Sequence, residues 1–210
     1  MGRLFDETTR RHIAERCAAF ARLPAAEPAP ALKRAAVAIT LVETEEALGR
    51  TALLLTLRAA GLRSHRSQWA LPGGRCDEGE TSIEASLREL HEELGLELGT
   101  RDVLGLLDDY PTRSGYLITP VVVWAATRAA LSPNPTEVAL VHRIALDDIE
   151  RVEAFDFVAI PESTRRVSRF RHAGHYIHAP TAALIYQFRE VLAGRDTRVA
   201  DLEQPVFAWK

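Results

Sequence analysis

Glu89, Glu92 and Glu93 stand in the segment GGRCDEGETSIEASLRELHEELGL, residues 73–96, which carries seven carboxylates. Separations of three and four place these glutamates on one arc of a helix, where like charges repel. Three carboxylates on one arc form a hard, oxygen-rich donor set that suits Mg2+ or Mn2+ better than Zn2+. Magnesium also binds phosphate oxygens, so the set suits phosphate-ester or diphosphate chemistry. The alternative at this level is an acidic face in water with its repulsion screened. Arg88 is the central cation, with Glu84, Glu89, Glu92 and Glu93 within a few residues of it.

Local signals delimit the helix. Thr81 and Glu84 have the spacing of a capping box, and Gly95 stands where a left-handed cap is wanted, so the helix is expected over Ser82 to Leu94. Ile83, Leu87, Leu90 and Leu94 form an apolar stripe that should face the core, away from the glutamates.

The rest of the chain must position this helix. An N-terminal helix is expected over residues 6–22, capped by Thr8 or Thr9, with Ile13, Cys17, Phe20 and Ala21 at helical spacing. The proline-rich LPAAEPAPALKR follows as a linker or arm. AAVAITLV and ALLLTLRA have strand length and suggest a hairpin with one buried face. Residues 60–74 form a loop, 103–127 hold two strands around a turn-rich centre, and 131–146 a loop and a strand. A final helix is expected over 180–193, with Gly194 just past its end. These elements imply an α/β fold, a mixed sheet between helices. The expected division is an N-terminal helix and arm over 1–33, a domain over 34–194 and a tail over 195–210.

Composition narrows the partners. The chain is 47% hydrophobic and 26% charged, ordinary for a globular protein, and its net charge of −3 argues for a small-molecule partner over nucleic acid. Cys17 and Cys76 are too few for a disulfide framework or a zinc site, and no apolar run reaches the roughly 20 residues that span a bilayer. The N-terminus lacks a signal-peptide core, so a cytoplasmic protein with no membrane partner is expected. A homodimer is compatible with the sequence.

Gly74, Glu80, Arg88, Glu89, Leu90, Glu92, Glu93, Gly95 and Leu96 fit G-x5-E-x7-R-E-U-x-E-E-x-G-U, with U aliphatic, at all nine specified positions. The chain thus resembles a Nudix hydrolase. The resemblance implies a loop–helix–loop on a mixed sheet and metal-dependent hydrolysis of a nucleoside diphosphate linked to another group. It also implies that Glu89, Glu92 and Glu93 hold the metal, with Glu92 or Glu93 as ligand or base. Arg88 would pair with a glutamate such as Glu80, Gly74 would let the loop approach the helix, and Gly95 would end it.

The flanks resemble coenzyme A diphosphatases. Upstream, Leu54, Leu55, Thr56, Arg58, Leu62, Arg63, His65, Pro72, Gly73 and Gly74 match that subfamily's pattern. Downstream, LDDYPTRSGYLITPVV and NPTEV are similar to its later segments. This implies cleavage of coenzyme A or a derivative to 3′,5′-ADP and 4′-phosphopantetheine. The basic cluster Arg58, Arg63, His65 and Arg66 suits the phosphates, beside the alternatives of a solvated basic turn, favoured for Arg66, and of a loop-fixing role for His65; Arg58, Arg63 and His65 with Gly74 make the expected substrate-binding set. Glu137 is a further ligand, a general base or a loop cap. Thr112, Ser114 and Gly115 are candidates to line the pocket. Tyr110, Tyr116 and Trp124 could stack on adenine, though strand aromatics are usually core. The spacing of His172, His175 and His178 matches no metal pattern. Departures stand at Arg66 and Ser67 after His65, at Trp69 and Leu71, and at HAPTA near the C-terminus. They keep open another substrate, such as ADP-ribose, a dinucleotide or an oxidised nucleotide. A nucleotide sensor that does not hydrolyse is a further alternative, disfavoured because every box glutamate is kept.

Overall fold

Successive side chains of a strand point to opposite faces, and here both faces are buried. The computed structural model describes residues 3–23, 32–45, 49–61, 68–125 and 131–205. In chain order it contains α1 (Glu7–Ala19), β1 (Lys33–Glu43), β2 (Thr51–Arg58), β3 (Trp69–Ala70), β4 (Gly73–Arg75) and α2 (Ser82–Leu94). Then come β5 (Val103–Leu106), β6 (Tyr110–Pro111), β7 (Tyr116–Trp124), β8 (Val138–Ala145) and α3 (Leu146–Glu150). The last elements are β9 (Phe155–Ile160), β10 (Ser163–His172), β11 (His175–His178) and α4 (Thr181–Leu192).

The first eight strands form one mixed sheet. β1 pairs antiparallel with β2, Leu41 opposite Leu53, and parallel with β7, Lys33 opposite Tyr116. β2 carries β8 and β3, while β7 carries β5 and β6. Ile39, Leu41, Leu53 and Leu55 enter a core shared with α1 and α4, whereas Ala38, Val42, Ala52 and Leu54 enter one with Leu90 and Leu94 of α2. The expectation of one buried face is thus corrected, because α2 covers one side of the sheet and α1 and α4 the other. The α/β fold with helices on both faces is as expected.

β9, β10 and β11 form a second, antiparallel sheet that the sequence reading left unassigned. Its apolar alternation is masked by Arg165, Arg166, Arg169 and Arg171, yet Phe155, Phe170 and Ile177 are buried against α4. Ala173 and Gly174, both at positive φ, make the tight turn between β10 and β11.

α1 runs over Glu7–Ala19 within the expected 6–22, capped by Asp6 rather than Thr8 or Thr9: the Asp6 carboxylate accepts from the Thr9 N–H at 2.8 Å, and Ala21 lies past the helix end and is exposed. Ile13, Cys17 and Phe20 are buried in the main core. Ile13→Ala should cost about 2–5 kcal/mol in denaturant unfolding, the range for a buried residue truncated without collapse. A loss under about 1 kcal/mol would show that α1 does not share that core. The chain after α4 also packs: Val199 is fully buried, and the Tyr110 hydroxyl donates to the Leu202 carbonyl at 2.8 Å. Among the described residues no helix is long and apolar enough to cross a membrane, and both cysteines are free.

Candidate active site

Two glycines bring β4 against β1 and α2. Gly73 has φ 152°, and a Cβ there would strike the Ala36 carbonyl and lie 2.6 Å from Val37 Cα. A Cβ on Gly74 would run into the Glu89 carboxylate. The loop after β4 leads into α2, whose capping box forms as expected. The Thr81 hydroxyl accepts from the Glu84 N–H at 3.2 Å, and the Glu84 carboxylate accepts from the Thr81 N–H at 2.8 Å. Gly95, at φ 69°, ends the helix.

Glu84 is therefore occupied at the cap and does not pair with Arg88. Glu80 takes that place, gripped by Arg88 through two bonds of 2.9 and 3.1 Å. Arg88 Nη1 donates to Glu89 at 2.9 Å and to Glu92 at 3.0 Å, and Nη2, already on Glu80, also donates to the Arg75 carbonyl at 3.0 Å. Arg88 thus ties the loop, β4 and two box glutamates together. Its guanidinium holds Glu80 below the ordinary carboxylate range. Glu89 is raised despite the same partner, because it is largely buried.

Glu93 is the most enclosed of the set, 2% exposed. Burial pushes its carboxyl up to about 8. Glu89 and Glu137 add to the rise, while Arg58 and the Gly73 N–H oppose it. Arg58 Nη1 is 3.5 Å from Glu93 Oε1, and Glu93 Oε2 and Arg58 Nε are buried without a partner. Glu137 also raises Glu89. It is brought there by the Asn134–Glu137 turn, in which the Asn134 N–H donates to the Glu93 carbonyl at 2.9 Å. Asn134 Nδ2 lies 3.4 Å from Glu137 Oε1.

This donor set fits a divalent cation: hard oxygens, two carboxyls raised by burial, and one buried oxygen without a partner. In the arrangement seen, Arg88 supplies the counter-charge for Glu89 and Glu92. Among the described residues no three His, Cys, Asp or Glu side chains are grouped to hold a metal ion. In this arrangement Glu92 is half exposed and turned onto Arg88, beside the more enclosed Glu89 and Glu93.

A cleft of about 550 Å³ opens beside Gly73 and Gly74, and Arg58, Trp69, Thr112 and Ser114 line it. Of the aromatic candidates, Tyr116 lines the cleft, whereas Tyr110 is fully buried and Trp124 is core, stacked on Phe5. Gly115 does not line it. Arg63, His65 and Arg66 lie outside the described residues. His172 meets His142 with ring nitrogens 3.3 Å apart, in no three-ligand group among the described residues. Arg75, Arg113 and Gln204 also line the cleft and were missed. Arg75 and Arg113 sit beside recognised positions, but nothing local marks Gln204.

The NUDIX domain model matches residues 32–166. Over 141 residues the chain is 35% identical to an uncharacterized Nudix hydrolase, NudL, of Photorhabdus laumondii, spanning 66% of this chain and 75% of that protein. It is 37% identical over 105 residues to Nudix hydrolase 3 of Caenorhabditis elegans, spanning 48% and 44% of the two chains. The crystal structure of a MutT/nudix family protein from Enterococcus faecalis aligns with TM-score 0.53 and 18% identity, over 90% of this chain and 75% of that one. The structure of RenU, a Nudix hydrolase of M. smegmatis, aligns with TM-score 0.50 and 24% identity, over 77% and 86%. At such identities the two structures speak for the fold alone. Box, fold and relatives agree, and the chain belongs to the Nudix hydrolase family.

Proposed function

We propose that this enzyme cleaves the diphosphate of coenzyme A or a derivative, giving 3′,5′-ADP and 4′-phosphopantetheine. The observation that carries this reading is the composition of the cleft. Arg58 from the upstream segment and Thr112 and Ser114 from the downstream one line it together with Gly73 and Gly74. The two flanks that resemble coenzyme A diphosphatases thus face one space beside the box.

Glu89, Glu92 and Glu93 would hold Mg2+ or Mn2+. Such an ion, when bound, offsets diphosphate charge and makes a water more acidic. Arg58, in the cleft and beside Glu93, binds a diphosphate oxygen. Gly74, without a side chain, lets the strand backbone sit against the Glu89 carboxylate at the edge of the cleft. Glu137, the carboxylate beside Glu89 and Glu93 that is not needed as a ligand, takes the proton of the attacking water. Its oxygen bonds to one phosphorus, the bridging P–O bond breaks, and the other phosphate leaves with the electron pair.

One observation favours a second reading, a different nucleoside diphosphate substrate. Trp69 and Leu71, both departures from the subfamily pattern, line the cleft. A panel of coenzyme A, acetyl-coenzyme A, ADP-ribose, NADH, diadenosine polyphosphates and 8-oxo-dGTP decides, assayed with Mg2+ and with Mn2+. Metal-dependent release of 3′,5′-ADP from coenzyme A, at least tenfold faster than any other cleavage, is expected. A preference for another member would overturn the coenzyme A assignment and keep the metal site. Tight nucleotide binding without turnover would mark a sensor.

A further inference from the structure

We propose that Arg75, Tyr116 and Arg113 form a subsite for a second phosphate of the substrate, a phosphomonoester that is not cleaved. The proposal rests on the reading of the cleft as the site of a nucleoside diphosphate ester. The two arginines come from different elements. Arg75 ends β4, and Arg113 stands in the turn between β6 and β7. β4 and β7 both pair with β1, where Ala35 is opposite Arg75 on one side and Ile118 on the other. The sheet therefore brings Arg75 and the Arg113 turn to one rim of the cleft, and both residues line it.

Each guanidinium is held in place. Arg75 lies over the Tyr116 ring, 5.2 Å from its centre, and stacking leaves the N–H edge of a guanidinium free to donate. The Arg113 turn is braced from two sides. Thr112 Oγ1 accepts from the Tyr116 N–H at 2.9 Å, and Gln204 Oε1 accepts from the Arg113 N–H at 3.0 Å. Arg113 Nε lies 3.4 Å from the Glu203 carboxylate. Glu203 and Gln204 are buried, 7% and 2% exposed. One carboxylate does not exhaust the five N–H donors of a guanidinium, and the planar fork suits a phosphate. The glutamates of α2 repel a further anion, so a second phosphate belongs on the arginine rim.

The test compares 3′,5′-ADP with 5′-AMP, which differ by one phosphomonoester and need no hydrolysis to be read. Dissociation constants are measured by calorimetry for the wild type, Arg113→Gln and Arg75→Gln. The wild type should bind 3′,5′-ADP roughly tenfold more tightly or better, the gain of a charge-assisted contact. That ratio should fall toward one in Arg113→Gln and drop at least threefold in Arg75→Gln. A wild-type ratio near one, or a ratio kept in both variants, overturns the subsite. If Arg113→Gln melts early, the exposed Arg75 decides alone. Coenzyme A left uncleaved with the ratio intact would end the coenzyme A reading and spare the subsite. Coenzyme A cleaved with a ratio near one would end only the subsite.

Discussion

Glu93→Gln should cut hydrolysis steeply and weaken divalent-cation binding together, yet make the metal-free protein more stable at alkaline pH. The carboxylate is enclosed, one oxygen has no partner, and burial raises the group to about 8. Glu93 would offer that oxygen to a divalent cation, and an uncharged amide would not replace the lost charge. A fall on the order of 10³-fold in kcat/KM is expected, the scale for removing one aligned electrostatic contact from a closed site. Stability moves the other way. The group titrates near 4.5 in the unfolded chain and near 8 in the folded one. Between those values the folded protein holds a proton that the unfolded chain has released, so stability falls as pH rises, by roughly 1.4 kcal/mol per pH unit at most. The loss is complete above about pH 8, and glutamine escapes it. Melting curves in chelator from pH 5 to 9 should slope downward for the wild type and run flatter for the variant. Activity within tenfold of wild type, or parallel melting curves, would refute the assignment of Glu93.

Gly74→Ala should cost about 10²-fold in kcat while unfolding is nearly unchanged. The added methyl meets the Glu89 carboxylate, with Oε2 only 2.9 Å away. Glu89 cannot yield alone, because Arg88 donates to it at 2.9 Å and also holds Glu80 and Glu92. Displacement by an ångström is enough for a loss of that size. Gly99→Ala is the control: a Cβ there meets nothing within 4 Å, and φ is −121°. It should stay within twofold of wild type. Equal kcat in the two variants would show that Gly74 does not set the position of Glu89.

The helix of the box was legible because its determinants are local. Thr81, Glu84, Gly95 and the stripe ending in Leu94 lie within 15 residues, and each contact is made inside the segment or by its own face. The partner of Arg88 was legible only through the box pattern, since Glu80 lies outside the helix. The cleft was half legible. Thr112 and Ser114 came from the flanks, but Gln204 meets Arg113 across 91 residues, a contact that depends on how the chain after α4 packs. β9 to β11 escaped notice because exposed arginines break the apolar alternation that marks a strand. Burial on both faces of the main sheet could not be inferred from β1 and β2, because it depends on α1, α2 and α4.

The packing of the chain ends has a practical consequence for anyone who cuts this gene. A fragment trimmed to residues 32–166 carries the whole box, but it lacks Ile13, Phe188 and Val199, all fully buried. It also lacks Gln204, which braces one wall of the cleft. The smallest piece that keeps this core and cleft wall is therefore longer than the recognisable one, and crystallisation or display vectors should retain residues 3 to 205.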